Sequence, residues 1–292
     1  MLTISEAFRK FRKRLEVSPS EEQDASRRQQ VLRSQLRDTL AVKRDLLMGS
    51  YIRETKTKPL KDVDIFVILE DSEQSYAQGA PDQILDLLIR TLAPHYPQIG
   101  KRNRSVKVDF GIAEDADDHI FSIDVVPAFE FGRSYRIPDR RQGGWITTDP
   151  TVHADLATAA NAAFSEQWKP VVKMIKKWND YQGRPVRPAF LLEVMALKLV
   201  QPPWTGSYPR ELRQFFASAS ESINDPWPDP AGLGPPVTAR LAESPTERAA
   251  AVVALQDAEH ACTRALLLEQ DGRIGAALDA WQLLFGPHFA KS

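Results

Sequence analysis

The amino-acid sequence predicts an α+β protein, with a mixed β-sheet in its first half and helices in its second. Three observations predict this. Residues 62–69, 105–112 and 119–129 run or alternate apolar with the period of strands. Segments opening at Pro19, Pro81 and Pro245 carry the start signals and spacing of helices. After about residue 150 no strand pattern recurs, and apolar residues repeat at helical spacing. The expected division is residues 1–155, holding N-terminal helices and a sheet core, and residues 156–292, a helical domain.

Residues 4–15 form the first expected helix, with Phe8, Phe11 and Leu15 on one stripe. Ser18-Pro19-Ser20-Glu21 reads as a capping box with proline in the first turn, and the helix it opens runs to about Leu40. A short strand then leads into Gly49-Ser50, a polar loop covers 54–61, and a strand covers 62–69. A helix begins at Pro81 and ends before Pro97. In "SVKVDFGI" the residues Val106, Val108, Phe110 and Ile112 alternate; in "HIFSIDVVPAF" Phe121, Ile123 and Val125 do so, and Pro127 is expected to stop the strand. Helices follow over "NAAFSEQWKPVVKMIKKWNDYQ", "PAFLLEVMALKLV" and 208–220. Residues 224–236 hold too much proline and glycine for a regular element. Ser244-Pro245-Thr246-Glu247 caps another helix, and a last one ends near Phe285.

Composition sets outer limits. The chain has 292 residues, 42% hydrophobic and 26% charged, with a formal net charge of −1, so it is not a polycation that coats nucleic acid. Residues 1–60 nevertheless hold 14 Lys/Arg against 8 Asp/Glu, a local excess able to attract phosphates. The single cysteine, Cys262, rules out an internal disulfide and a cysteine-based zinc cluster, and the five histidines lack metal-ligand spacing. No stretch approaches the roughly 20 apolar residues of a membrane span, and the first residues lack the apolar core of a secretory signal. The expected location is the cytoplasm, with no membrane contact.

The chemistry concentrates in "MGSYIRETKTKPLKDVDIFVILED", residues 48–71. Asp62 and Asp64 fall on one face of a strand, roughly 7 Å apart, while Val63, Ile65, Val67 and Leu69 fall on the other. Carboxylates that close repel unless a cation lies between them, and hard oxygen donors favour Mg²⁺ or Mn²⁺. Two such ions clamp the attacking and leaving oxygens of a phosphoryl or nucleotidyl transfer. Gly49-Ser50 offers backbone N–H groups and a hydroxyl to anionic oxygens. A third carboxylate has two candidates, Asp109 and Asp124; each lies opposite an apolar row, and periodicity does not choose between them.

"GSYIRETKTKPLKDVDIFVIL" and "FSIDVVPAFE" resemble the DNA polymerase β-like nucleotidyltransferases, most closely their cGAS/DncV-like branch. These are the CD-NTases, bacterial enzymes making cyclic oligonucleotide second messengers in anti-phage (CBASS) defence. The resemblance covers about residues 40–200. It implies a bilobed fold with a mixed-sheet palm, flanking helices and a C-terminal helical lobe. It also implies that Gly49 and Ser50 contact a triphosphate and that Asp62 and Asp64 bind two Mg²⁺ or Mn²⁺ ions. The family form "Asp-hydrophobic-hydrophobic-Pro-Ala" matches Asp124 to Ala128, so the resemblance selects Asp124 over Asp109 as third ligand. In "VVKMIKKWNDYQ" it assigns Lys176, and less directly Lys173, to the donor triphosphate. Ala189 stands where relatives often carry a serine, so one polar nucleotide contact is expected to be missing.

The activity implied is synthesis of a cyclic di- or trinucleotide from NTP substrates, at least one of them a purine. A regulatory protein partner is implied, and sensing of DNA through a zinc ribbon is not. Two other readings compete: transfer to linear oligonucleotides or to an RNA or protein acceptor, and a non-catalytic nucleotide-binding scaffold. Trp204 and Tyr208 are candidates for base stacking, or simply for core.

Overall fold

The computed structural model describes residues 2–112 and 120–289. The chain separates into two compact units, Val17–Ala154 and Met1–Glu16 together with Asp155–Ser292. The fold class is α+β, as expected from the sequence.

The unit Val17–Ala154 is built on a seven-stranded mixed sheet. Its elements are α2 (Pro19–Arg37), β1 (Val42–Met48), β2 (Asp62–Leu69), α3 (Gln74–Gln78), α4 (Pro81–Leu92), β3 (Gln98–Lys101), β4 (Val106–Asp109), β5 (Ser122–Phe131), β6 (Ser134–Asp139) and β7 (Gly144–Thr148). The strand order is β1-β2-β5-β4-β3, with β6 pairing β5 and β7 pairing β6. Only β2 and β5 run parallel; the other neighbours are antiparallel. One sheet face is dry: Val63, Ile65, Val67, Val106, Val108, Ile123 and Val125 pack against Leu32 and Leu36 of α2 and Ile84, Leu85 and Leu88 of α4. Burial of each such side chain contributes about 1.5–3 kcal/mol, which fixes the strand register, because a one-residue slip would turn this row to the other face.

The strand expected over 119–129 is shifted. Position 119 lies outside the described residues, and β5 runs through Pro127 to Phe131. Proline is accommodated because β4 pairs β5 only as far as Val125 and β6 joins only at Phe129, so one side of Pro127 has no ladder to donate to. The strand expected over 105–112 ends at Asp109. The β6–β7 hairpin and β3 were not expected from the sequence.

The second unit is helical: α1 (Ile4–Leu15), α5 (Pro150–Ala163, which the division crosses), α6 (Trp168–Tyr181), α7 (Phe190–Leu199), α8 (Tyr208–Ser222), α9 (Ala239–Ala242), α10 (Pro245–Gln270) and α11 (Ile274–Phe285). The first helix was expected with the N-terminal domain but belongs here. Phe8 and Phe11 pack edge-on and tilted against Trp281, Phe285 and Phe289, with ring centroids 4.8–6.2 Å apart. The continuous helix expected from Asn161 is broken over 164–167, with Ser165 and Glu166 at φ of 54° and 60°. Pro170 forces the break, since its ring excludes a helical residue four positions earlier. Asn161 closes it by accepting the Lys169 N–H at 3.0 Å.

Candidate active site

Strand pairing brings the acids together. In the antiparallel β1–β2 pair Met48 lies opposite Asp64, so the chain turns at Gly49 directly beside that carboxylate. Gly49 has φ +62°, and a Cβ there would fall 1.8 Å from Asp64 Oδ2. Only glycine allows both the backbone and the approach. The turn is tied by Tyr51 N–H to Met48 O (3.2 Å) and Thr55 N–H to Ser50 O (3.0 Å). Ser50, half-buried, follows Gly49 at this corner.

In the parallel β2–β5 pair Asp62 lies opposite Ser122 and Asp64 opposite Asp124. Residues opposite one another share a face, and adjacent strands are about 4.8 Å apart. The Ser122 hydroxyl bonds Asp62 Oδ1. Ser105 Oγ donates to Asp124 Oδ1 at 2.9 Å. Burial raises the Asp124 carboxyl above its ordinary value and the negative charge of Asp62 adds to this, against the Ser105 bond and the cations Arg102 and Lys107. Beyond the acids the same face turns apolar, with Phe66 and Ile68 packed among Met48, Val126 and Ala128.

Asp109 shares this face one strand farther out. It lies opposite Ser122 in the β4–β5 pair, while Lys107 lies opposite Asp124. Its carboxylate is engaged by Lys107 at 3.3 Å and by the Gly111 N–H at 3.0 Å. Strand order therefore separates the two candidates that periodicity left equal: Asp124 neighbours Asp64 directly and Asp109 does not.

The entry to each acid-bearing strand is held by α2. Glu21, fully buried, accepts the Leu60 N–H at 2.8 Å through one oxygen and the Ser18 N–H at 2.8 Å through the other. Asp24 accepts the Ile120 N–H at 3.2 Å and pairs with Arg27 and Arg28. Ser105, Ser122, Lys107 and the Glu21 contact were not singled out from the sequence. Ser122 was legible in principle, two residues before Asp124 and hence on its face; Ser105 and Glu21 act through tertiary contacts that leave no local signal.

The lysines lie in the helical unit. Lys173 Nζ meets Glu16 Oε2 at 2.6 Å, and Lys176 Nζ meets Glu193 Oε1 at 2.9 Å. Neither is on a solvated outer face: the Lys173 and Lys176 side chains are 10% and 14% exposed. Trp204 and Tyr208 pack into the helical core, against each other at 5.0 Å and against Phe164 and Phe8. Tyr208 also bonds Gln167 and Arg12. Ala189 precedes α7 without a side-chain cap.

Among the described residues no three Asp, Glu, His or Cys side chains converge closely enough to form a ready-made metal cage. Two of the acids are instead occupied by serines. The donor set is nonetheless all-oxygen, and the repulsion between Asp62 and Asp124 is of the kind a divalent cation relieves. The residues fit a hard divalent ion.

The sequence profile of the Second Messenger Oligonucleotide or Dinucleotide Synthetase (SMODS) domain matches residues 2–161. The chain belongs to this family of cGAS/DncV-like nucleotidyltransferases. Among its relatives, a probable cyclic nucleotide synthase of Bacillus cereus is 27% identical to the SMODS chain over 221 residues, 63% of this chain and 64% of that protein. A cyclic AMP-AMP-AMP synthase of Acinetobacter is 27% identical over 219 residues, 68% of this chain and 59% of that one. The SMODS chain thus spans about three fifths of the length of these curated relatives. E. coli MS115-1 CdnC with ATP superposes with a TM-score of 0.71 at 21% identity, covering 99% of both chains. Bradyrhizobium diazoefficiens CdnG in complex with GTP does so with 0.73 at 14%, covering 97% of this chain and 95% of the other. The SMODS chain therefore has the polymerase β-like CD-NTase fold. No helix among the described residues is long and apolar enough to cross a membrane.

Proposed function

We propose that this protein is an NTP-dependent nucleotidyltransferase that builds a cyclic di- or trinucleotide second messenger for bacterial anti-phage signalling. The observation that carries the reading is a register: Asp62 and Asp64 on β2, Asp124 opposite Asp64 on β5, and the Gly49 corner against Asp64. Three acids and an anion-accepting turn on one sheet face are what a triphosphate with its cations requires.

Asp62, Asp64 and Asp124 would hold two Mg²⁺ or Mn²⁺ ions, which supply charge neutralisation on the phosphates and a lowered pKa for the attacking hydroxyl. Gly49 and Ser50 bind the donor's β- and γ-phosphates through backbone N–H and hydroxyl. Asp124 orients the acceptor's ribose hydroxyl. That oxygen bonds to the donor's α-phosphorus, the bond from the α-phosphorus to its bridging oxygen breaks, pyrophosphate leaves, and the hydroxyl proton passes to water. A further round closes the ring. Ser122 and Ser105 hold Asp62 and Asp124 in place between turnovers. Lys176 and Lys173 are the proposed triphosphate contacts of the helical unit. A regulatory partner is part of the proposal, supported by the fold it shares with E. coli MS115-1 CdnC, known in a complex with HORMA-deltaN.

The test is incubation with all four NTPs and Mn²⁺, followed by mass spectrometry. A phosphatase-resistant cyclic product is expected, and Asp62→Asn with Asp64→Asn abolishes it while the circular dichroism spectrum stays unchanged. Product from the double variant would sink the site assignment.

A further inference from the structure

The helix α10 packs on α8 and α11 through Ala251, Leu255, Ala258, Cys262 and Ala265, all buried. Its outer face is left uncovered among the described residues. There Val253, Asp257, His260, Arg264 and Leu267 recur at i, i+4, i+7, i+11 and i+14, the spacing of a coiled-coil seam, and all five are exposed. Val253 and Leu267 are apolar yet 54% and 55% exposed. Beside this stripe α10 and α11 bound a groove of about 420 Å³, lined in large part by the small side chains of Ala254, Ala258, Ala261 and Ala280. Leu283 of α11 stands at the groove with 76% exposure, more than any other large apolar side chain among the described residues. Burial of Leu278, Trp281, Leu284 and Phe285 on the core side of α11 turns Leu283 outward.

The stripe is complementary to itself. Two copies of one helix packed antiparallel about a two-fold axis present the same patch to each other, so each contact occurs twice. An axis crossing α10 between His260 and Ala261 places Asp257 opposite Arg264 of the second copy, and Leu267 opposite Ala254 with Val253 one residue away. Neither Asp257 nor Arg264 forms an ion pair inside the chain among the described residues, and about 10 Å of helix separates them. The small Ala254 and Ala261 allow the helices to approach to about 8–10 Å, the distance of close helix packing. The face over 253–267 is about 21 Å long and, with α11 beside it, about 20 Å wide, so two copies would cover roughly 900 Å². That area suits a reversible dimer with a dissociation constant on the order of micromolar.

We infer that the outer face of α10 and α11 is a self-association surface, on which two copies of this chain pair antiparallel about an axis between His260 and Ala261. Burial of Val253, Leu267 and Leu283 drives the association, and the two Asp257–Arg264 pairs fix its register and exclude partners whose charges do not match. A second copy carries the matching charges by symmetry, whereas an unrelated helix would need them placed to order. The surface is independent of the proposed function, since none of its residues belongs to the candidate active site.

The experiment is sedimentation equilibrium of the full chain from about 1 to about 200 μM. Wild type is expected to move from 32.8 kDa towards twice that mass as concentration rises. Asp257→Arg and Arg264→Asp each set like charges against one another across the axis and should weaken the dimer about tenfold or more. The double exchange, Asp257→Arg with Arg264→Asp, restores opposite pairs and should regain wild-type association. Leu283→Ser weakens the dimer without changing charge. All these positions are exposed, so the circular dichroism spectrum and urea midpoint stay at their wild-type values. A wild type that remains at 32.8 kDa throughout overturns the inference. A dimer that survives both single reversals overturns it too, as does a double exchange no stronger than the singles.

Discussion

Gly49→Ala is the sharpest perturbation of the donor corner. Its backbone sits at φ +62°, where an L-residue costs roughly 1–2 kcal/mol. The new Cβ would start 1.8 Å from Asp64 Oδ2, so the carboxylate must retreat by about 1.6 Å or more to reach an ordinary contact. A displacement of that size at a reacting centre costs about 100-fold in rate, or some 2.7 kcal/mol in the barrier. A second glycine isolates the backbone part. Gly132 has φ +64°, and a Cβ added there would meet nothing within 4 Å, so Gly132→Ala carries the strain without the collision.

Gly49→Ala is expected to lower the urea midpoint at least as much as Gly132→Ala, while only Gly49→Ala loses pyrophosphate release from NTPs. Initial rates with Mn²⁺ measure the loss. If Gly49→Ala retains more than a third of wild-type turnover, or Gly132→Ala loses as much, Asp64 is not held in its working position by this corner.

Three further outcomes follow from the same geometry. Glu21→Ala leaves the buried Leu60 N–H and the half-buried Ser18 N–H without their acceptors and should destabilise the sheet unit by about 1–3 kcal/mol, read from urea unfolding; Glu21→Gln restores only part, since its NH₂ faces one of the two donors. Burial pushes Asp24 up, but bonds from Arg28, Arg27 and the Ile120 N–H outweigh it, so its folded pKa lies below 3.8. Its contribution is complete above 3.8, the unfolded value, and is lost as pH falls through the folded one; Asp24→Asn should flatten the urea midpoint against pH in that acid window. Lys176→Met should destabilise more than Lys173→Met, because Glu193 is 3% exposed and Glu16 is 50% exposed, and paired urea titrations give the order.

What was legible in the sequence was local. The capping box of Ser18 and Glu21, the N-cap of Ser244 and the whole of β2 appear where their patterns put them, because caps and alternation are fixed within a few residues. The departures have non-local causes. Pro127 fits inside β5 only because its flanking strands stop short of it. The β6–β7 hairpin escapes notice because only Tyr135 and Ile137 alternate in β6 before Pro138, and in β7 Trp145 and Ile146 stand side by side. The first helix leaves its sequence neighbours for an aromatic nest formed with residues 281–289. The acid site divides in the same way: Asp62 and Asp64 are legible from parity alone, whereas Asp124 and Asp109 have the same parity and differ only in strand order.

That strand order also gives the candidate site a direction. Because β1 flanks β2 on one side and β5 on the other, the Gly49 corner and Asp124 meet Asp64 from opposite sides. Under the proposed function, a leaving group at the one and a nucleophile at the other would reach Asp64 from opposite sides. The first turns of α2 keep this alignment, since Glu21 grips the chain two residues before Asp62 and Asp24 grips it four residues before Asp124. A shift of either strand along its axis would have to break a buried charge-assisted hydrogen bond as well as the apolar register beneath it. The acids therefore stand at strand spacing because a helix outside the site sets where both strands begin.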